Sequence, residues 1–95
     1  MYLIKYDKQA AKDIKNLKSA KLDLKAKSLI EILRQNPHKP PCEALVGNLT
    51  GLYSRRINIQ HRLVYQIIEG EVVEDEIKYD GIVKIIRMWT HYDNI

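Results

Sequence analysis

Apolar and polar positions alternate along Tyr2-Leu3-Ile4-Lys5-Tyr6, a run of strand-forming residues that predicts a first strand. The period then changes. Ala10, Ala11, Ile14 and Leu17 recur at helical spacing behind Asp7, whose side chain suits a helix cap. Lys8, Lys12, Lys15 and Lys18 fill the rest of that helix and read as its solvated face. A second helix is expected with Ser19 as its cap and Leu22, Ala26, Leu29, Ile30 and Leu33 as its buried stripe. Asn36-Pro37 ends it, because the residue before a proline disfavours helical geometry. Pro37, Pro40 and Pro41 stiffen the next loop, which carries Cys42, Glu43, Ala44 and Leu45.

Alternation returns in Leu52-Tyr53-Ser54-Arg55-Arg56-Ile57 and His61-Arg62-Leu63-Val64-Tyr65, after a turn at Asn48-Leu49-Thr50-Gly51. The connection Asn58-Ile59-Gln60 is short enough for a hairpin. A three-residue loop sets Ile57 against His61 and puts Arg56 directly opposite Arg62 on one face. The other face then pairs Tyr53 with Tyr65 and Arg55 with Leu63, and reads as core. The strand from Arg62 is expected to reach Ile68, burying Leu63, Tyr65 and Ile67. Glu69-Gly70-Glu71 and Tyr79-Asp80-Gly81 read as turns, with a last strand from Ile82 to about Trp89. Between those turns, a short extra hairpin and a mobile excursion both remain open. The fold class is α+β: two N-terminal helices packed on one face of a mostly antiparallel twisted sheet, in one domain spanning residues 1–95.

The length of 95 residues suits one modest core, and 45% hydrophobic content argues against disorder. No apolar run approaches the ~20 residues of a membrane helix, and no signal-peptide pattern opens the chain, so no membrane role is expected. Cys42 is the only cysteine, which fits a reducing cytoplasm. One cysteine with three scattered histidines (His38, His61 and His91) makes a structural zinc site improbable. Net charge is +4, but its distribution matters more. Residues 69–80 hold six acids against the single base Lys78, a net of −5 that leaves +9 on the remainder. Such segregation favours a polyanionic partner, although basicity alone is equally a device for solubility.

Like charges held opposite each other repel. The Arg56–Arg62 pair makes sense if an anion sits between them, and a nucleic-acid phosphate is the obvious candidate. Such a face becomes a nuclease site if proton-transfer groups join it. RNA supplies its own nucleophile, the 2′-hydroxyl. Cleavage without a metal then needs a base, cations that stabilise charge on phosphorus, and an acid for the leaving 5′-oxygen. Glu43 on the proline loop, Arg56 and Arg62 on the hairpin, and His91 after the last strand are the candidates. As residue types, a glutamate with a pKa of roughly 4.3 takes a proton at neutral pH and a histidine near 6.5 can give one. Taken singly, each is more often a surface residue, and catalysis does not follow from composition and spacing. Trp89 shares an expected strand face with Arg87 and His91, where its indole could stack on a base; a core tryptophan is the plainer reading. Tyr92 follows His91 and could bond a phosphate or position the histidine.

The hairpin residues Asn48 to Ile57 and His61 to Tyr65, the ending Arg87-Met88-Trp89-Thr90-His91-Tyr92, and Glu43 upstream together resemble the Txe/YoeB branch of the RelE-like bacterial toxins. The resemblance spans nearly the whole chain. It implies a RelE-like, microbial-ribonuclease-like fold and a toxin of a type II toxin–antitoxin pair that cleaves messenger RNA on the translating ribosome. Carried over residue by residue, Glu43 is the general base, Arg56 and Arg62 stabilise the phosphoryl transition state, His91 is the general acid, and Tyr92 holds the substrate. Arg55, Arg87 and Trp89 are further expected RNA contacts. No metal or organic cofactor is implied. The implied partners are the ribosome with its mRNA and a cognate antitoxin of Phd/YefM type, which neutralises the basic site with an acidic, partly disordered segment; a homodimer is left open. Two features depart from the branch. The acidic insert is longer than expected, and Asp93-Asn94-Ile95 extends past Tyr92, so a role for a terminal tyrosine carboxylate does not transfer. Two other readings use the same residues: a ribosome-binding inhibitor that does not cut, and a ParE-like gyrase inhibitor, against which the combination of Glu43 and His91 argues.

Overall fold

Residue parity and helix capping account for most of the elements. In the computed structural model, which describes residues 1–90, strand β1 (Leu3–Tyr6) leads into helix α1 (Lys8–Ser19). The Asp7 carboxylate caps that helix by accepting from the Lys8 N–H at 3.1 Å. Helix α2 (Asp23–Gln35) starts differently from expectation. Ser19 is the last residue of α1, and Leu22 holds the cap position with no side-chain hydrogen bond. Lys21 reverses the chain at φ 59°, which lets Leu22 pack against the core. Burial of that leucine takes precedence over capping chemistry. Asn36, in extended conformation before Pro37, ends α2 as expected.

The remaining elements are the two-residue strand β2 (Glu43–Ala44), a 3-10 turn at Gly47–Leu49, β3 (Leu52–Arg56), β4 (Arg62–Glu74) and β5 (Ile77–Thr90). They form one five-stranded sheet in the order β1-β5-β4-β3-β2. Only the β1–β5 pair is parallel. Both helices cover one face. Ala10 and Leu17 of α1 and Ala26, Ile30 and Leu33 of α2 pack with Ile57, Leu63, Tyr65, Val83, Ile85 and Met88 from the sheet side.

Two expected turns are not turns. Glu69, Gly70 and Glu71 lie inside β4, and Tyr79, Asp80 and Gly81 inside β5. The chain reverses at Asp75 and Glu76, whose φ values of 52° and 67° match a primed hairpin turn. Gly70, at φ 121°, sits where the ladder shifts register between Glu69 and Val72, which is a β-bulge. Gly81 serves close packing: a Cβ there would lie 2.3 Å from the Ile68 carbonyl oxygen and 3.0 Å from the Tyr2 ring. The acidic segment is thus the outer arm of the β4–β5 hairpin. Register pairs Lys5 with Lys84, whereas Glu74 pairs with Ile77, seven positions nearer the tip. On a flat ladder that offset is roughly 23 Å. Lys5 Nζ nevertheless lies 2.8 Å from the Glu74 carboxylate. The arm therefore bends up over the face opposite the helices, where Leu3 is buried. At its base, Glu69 accepts from the Tyr2 hydroxyl at 2.7 Å and lies 2.9 Å from His38 Nε2. The bonds to His38 and then to Tyr2 hold the exposed Glu69 carboxyl below its ordinary range, and the Glu69 bond pushes the Tyr2 phenol up to about 12. This link is complete above the ordinary carboxylate pKa and is lost as pH falls through the lowered one.

Asp13 is the one buried carboxylate among the described residues, and the sequence pattern placed no charge on that helix face. It accepts from Arg87 Nε at 3.0 Å, the Met88 N–H at 2.9 Å and Gln9 Nε2 at 3.3 Å, so its oxygens are well supplied with donors. Through it α1 is tied to the last turn of β5 toward the site. Asp13→Ala should lower stability by about 2–4 kcal/mol, because it strands the Arg87 guanidinium and a backbone N–H; the shift in urea midpoint measures this. Gly81→Ala should cost about 2 kcal/mol, since the obstructing atom is backbone and can yield only if the ladder shifts. Faster amide exchange in residues 70–80 than in the rest of the sheet would report the loosened arm.

Candidate active site

The β3–β4 ladder keeps one register from Leu52↔Gln66 to Arg56↔Arg62, so the two arginines face each other across the strands. The loop that sets this register is closed by its own chemistry. Asn58 Oδ1 accepts from the Gln60 and His61 N–H groups at 2.9 and 2.7 Å, and the Ile57 N–H donates to the His61 carbonyl at 2.9 Å. On the opposite face Tyr53 and Tyr65 stack with centroids 5.9 Å apart, and Ile57 and Leu63 are fully buried.

Glu43 completes the arrangement. Although expected in a loop, it lies on β2 and pairs with Ser54 of β3, which puts Glu43, Ser54, Arg56 and Arg62 on one sheet face. Arg62 Nη1 donates to Glu43 Oε2 at 3.0 Å. The anion accompanying the arginine pair is thus a carboxylate of the protein itself. An open cleft of about 430 Å³ lies here, lined by Glu43, Ser54, Arg55, Arg56 and Arg62 together with Leu29, Pro41 and Cys42. Glu43 is 57% exposed and Arg62 18%, so the carboxylate is reachable and the guanidinium is held by its surroundings.

The buried side of the same hairpin holds the loop that delivers Glu43. Tyr65 donates its hydroxyl to the Pro37 carbonyl at 3.3 Å, and burial pushes its phenol pKa up. Arg55, 6% exposed, donates Nη1 to the Lys39 carbonyl at 2.7 Å. Arg55, expected at RNA, lines the cleft while its guanidinium bonds that internal carbonyl. Arg87 and Trp89 make internal contacts too. Arg87 binds Asp13, and Trp89 stacks on His61 with centroids 3.8 Å apart and 15° between planes. His91 and Tyr92 lie outside the described residues. Thr90, the chain neighbour of His91, pairs with Arg62. Sequence reasoning missed Ser54, a buried hydroxyl in the row of Glu43, because a two-residue strand inside a proline-rich loop leaves no alternation to read. Among the described residues no group of three or more His, Cys, Asp or Glu side chains is placed to hold a metal ion, and no helix is long and apolar enough to cross a membrane.

Comparison with known proteins gives the class of a chain that sets a basic, carboxylate-bearing cleft on such an α+β sheet, that of small bacterial toxins. Residues 2–92 match the model of the YoeB-like toxin of bacterial type II toxin–antitoxin systems, and the chain belongs to that family. Among solved structures, the toxin in a YoeB–YefM complex from Staphylococcus aureus is 33% identical, with 97% of this chain and 99% of that one covered and a TM-score of 0.68. A YoeB dimer from the same organism is also 33% identical, at 96% and 98% coverage and a TM-score of 0.71. A YoeB/ParE toxin from Agrobacterium tumefaciens shares the fold at 22% identity, with 95% and 99% covered and a TM-score of 0.78. No curated protein matches the chain.

The two halves of this site should respond differently to mutation. Glu43→Gln should change stability by no more than about 0.5 kcal/mol, because its ion pair is largely exposed. Arg55→Met should cost about 1–2 kcal/mol by removing the donor to the Lys39 carbonyl. Urea unfolding of both variants measures the contrast.

Proposed function

We propose that this toxin is a ribosome-dependent endoribonuclease that cuts messenger RNA during translation and so halts protein synthesis. The observation that carries the reading is the contact between Glu43 and Arg62, 3.0 Å apart, beside an arginine that faces Arg62 across the ladder. A phosphodiester seated on Arg56 and Arg62 meets two guanidiniums suited to a phosphoryl group that gains negative charge. Glu43 takes the proton of the 2′-hydroxyl as that oxygen attacks phosphorus. His91 gives a proton to the departing 5′-oxygen, and Tyr92 positions the substrate. The bond formed is 2′-O–P and the bond broken is P–5′-O. The products are a 2′,3′-cyclic phosphate, opened by water to a 3′-phosphate, and a free 5′-hydroxyl. The chemistry calls on no metal and no organic cofactor.

The partners follow from the same site and from the relatives. The ribosome presents the mRNA strand, which places the activity in the cytoplasm. A YefM-type antitoxin binds and silences the toxin, by analogy with the S. aureus complex, and the S. aureus YoeB dimer supports self-association. The whole chain acts as one toxin domain.

On programmed ribosomes, Glu43→Ala and His91→Gln should each slow mRNA cleavage at least about 100-fold, the usual scale of a lost proton-transfer group. Cleavage at the wild-type rate in both variants would reject the assignment. Translation arrest with intact mRNA would indicate a blocker that does not cut, and inhibited gyrase supercoiling would indicate a ParE-like target.

A further inference from the structure

Ser54 is the side chain that pairs with Glu43 across β2 and β3, so the two Cβ atoms share a face at about 5 Å. Ser54 is 1% exposed and its Oγ has no hydrogen-bond partner among the described residues, yet the residue lines the same cleft as Glu43, Arg56 and Arg62. A buried hydroxyl without a partner is uncommon enough in folded proteins to call for a reason.

The geometry of Glu43 supplies one. Its carboxylate reaches from β2 across β3 to Arg62 on β4, passing over the row that holds Ser54. A phosphodiester bound by Arg56 and Arg62 brings negative charge to the place this carboxylate occupies. Two anions crowded onto one guanidinium repel, and the flexible, half-exposed glutamate is the one that yields. Withdrawn toward its own row, it comes within reach of the one buried hydroxyl there. We infer that Ser54 is a positioning residue for Glu43: with substrate bound, Ser54 Oγ donates to the Glu43 carboxylate in place of Arg62. One carboxylate oxygen is then held and the other is left to face the 2′-hydroxyl. The inference rests on the nuclease reading and adds a partner exchange to it, with Arg62 passing from carboxylate to phosphate and Glu43 from Arg62 to Ser54.

The test is cleavage of mRNA on programmed ribosomes by Ser54→Ala, Ser54→Thr, Glu43→Ala and the double variant Glu43→Ala/Ser54→Ala. Ser54→Ala should lower kcat about tenfold with KM within about twofold, because a misplaced base slows the chemical step while Arg56 and Arg62 still hold the phosphate. Ser54→Thr, which keeps the hydroxyl, should recover most of the rate. The double variant should be no slower than Glu43→Ala alone, because a residue that acts through Glu43 has nothing to hold once the carboxylate is gone. Ser54→Ala should also melt at or above the wild-type temperature, since it deletes a buried group without a partner. Should it fail to fold, Ser54→Cys, a weak donor of similar size, carries the same comparison. A wild-type kcat in the serine variant, or an equal further loss in the Glu43→Ala background, overturns the inference while leaving the nuclease reading intact. A fast Glu43→Ala enzyme overturns both.

Discussion

Two guanidinium groups set directly across a β-ladder repel, and the register that opposes Arg56 to Arg62 persists because the reverse face of the same strands permits no other. A slip of β4 by one residue would turn Leu63 and Tyr65 out of the core and Arg62 into it. Each of those two side chains contributes about 1.5–3 kcal/mol by its burial. An exposed like-charge pair opposes them by no more than about 1 kcal/mol. The hydrophobic term wins by several-fold, so the core fixes a cationic site that the charges alone would disperse. Glu43 then relieves part of the repulsion with a carboxylate that remains accessible.

The same division of labour extends outward from the hairpin. On its buried side, Tyr65 and Arg55 grip the carbonyls of Pro37 and Lys39, and the chain between those anchors and β3 carries Glu43 to the open side. At the end of β5, Asp13 of α1 takes the Arg87 guanidinium and the Met88 N–H, and Trp89 stacks on His61. His61 directly precedes Arg62, which pairs with Thr90. The residues flanking both ends of the arginine pair are thus locked by packing, while the Glu43 side chain stays more than half exposed. That contrast suits the proposed roles, a base that changes partner and cations that receive a phosphate.

The parts of this arrangement that were legible in the sequence are those governed by local alternation. Arg56 opposite Arg62 followed from a three-residue loop and the parity of Tyr53, Arg55, Leu63 and Tyr65. The helical stripe of Leu17, Ala26, Ile30 and Leu33 followed from spacing. What was missed depends on contacts distant in sequence. Glycine at 70 and 81 suggested turns, because glycine serves turns, bulges and close approaches alike, and only the neighbouring Ile68 and Tyr2 tell which. The true reversal at Asp75 and Glu76 has no glycine or asparagine to announce it. Asp13 carried no signal in the helical spacing, since Arg87 and Met88, which bind it, stand some seventy-five positions away. The internal partners of Arg55 and Arg87 were equally out of view: a strand pattern gives an arginine's face but not whether a buried acceptor awaits it.

The acidic arm shows why charge position matters more than charge total. Its bend over the open face brings Glu74 to Lys5, and Glu69 at its base is held by Tyr2 and His38. These acids are therefore tied to β1 and to His38 of the proline loop. Arg62 keeps its bond to Glu43. Attractions between exposed charges fade over roughly 8–10 Å in physiological salt. Several strand residues separate arm and cleft, so the arm's negative charge is screened before it can cancel the field of the arginine pair. One small sheet can in this way carry an acidic end and a cationic end without either neutralising the other. What a polyanion meets at the cleft is the local pair of guanidiniums and one displaceable carboxylate, whatever the sum over the chain.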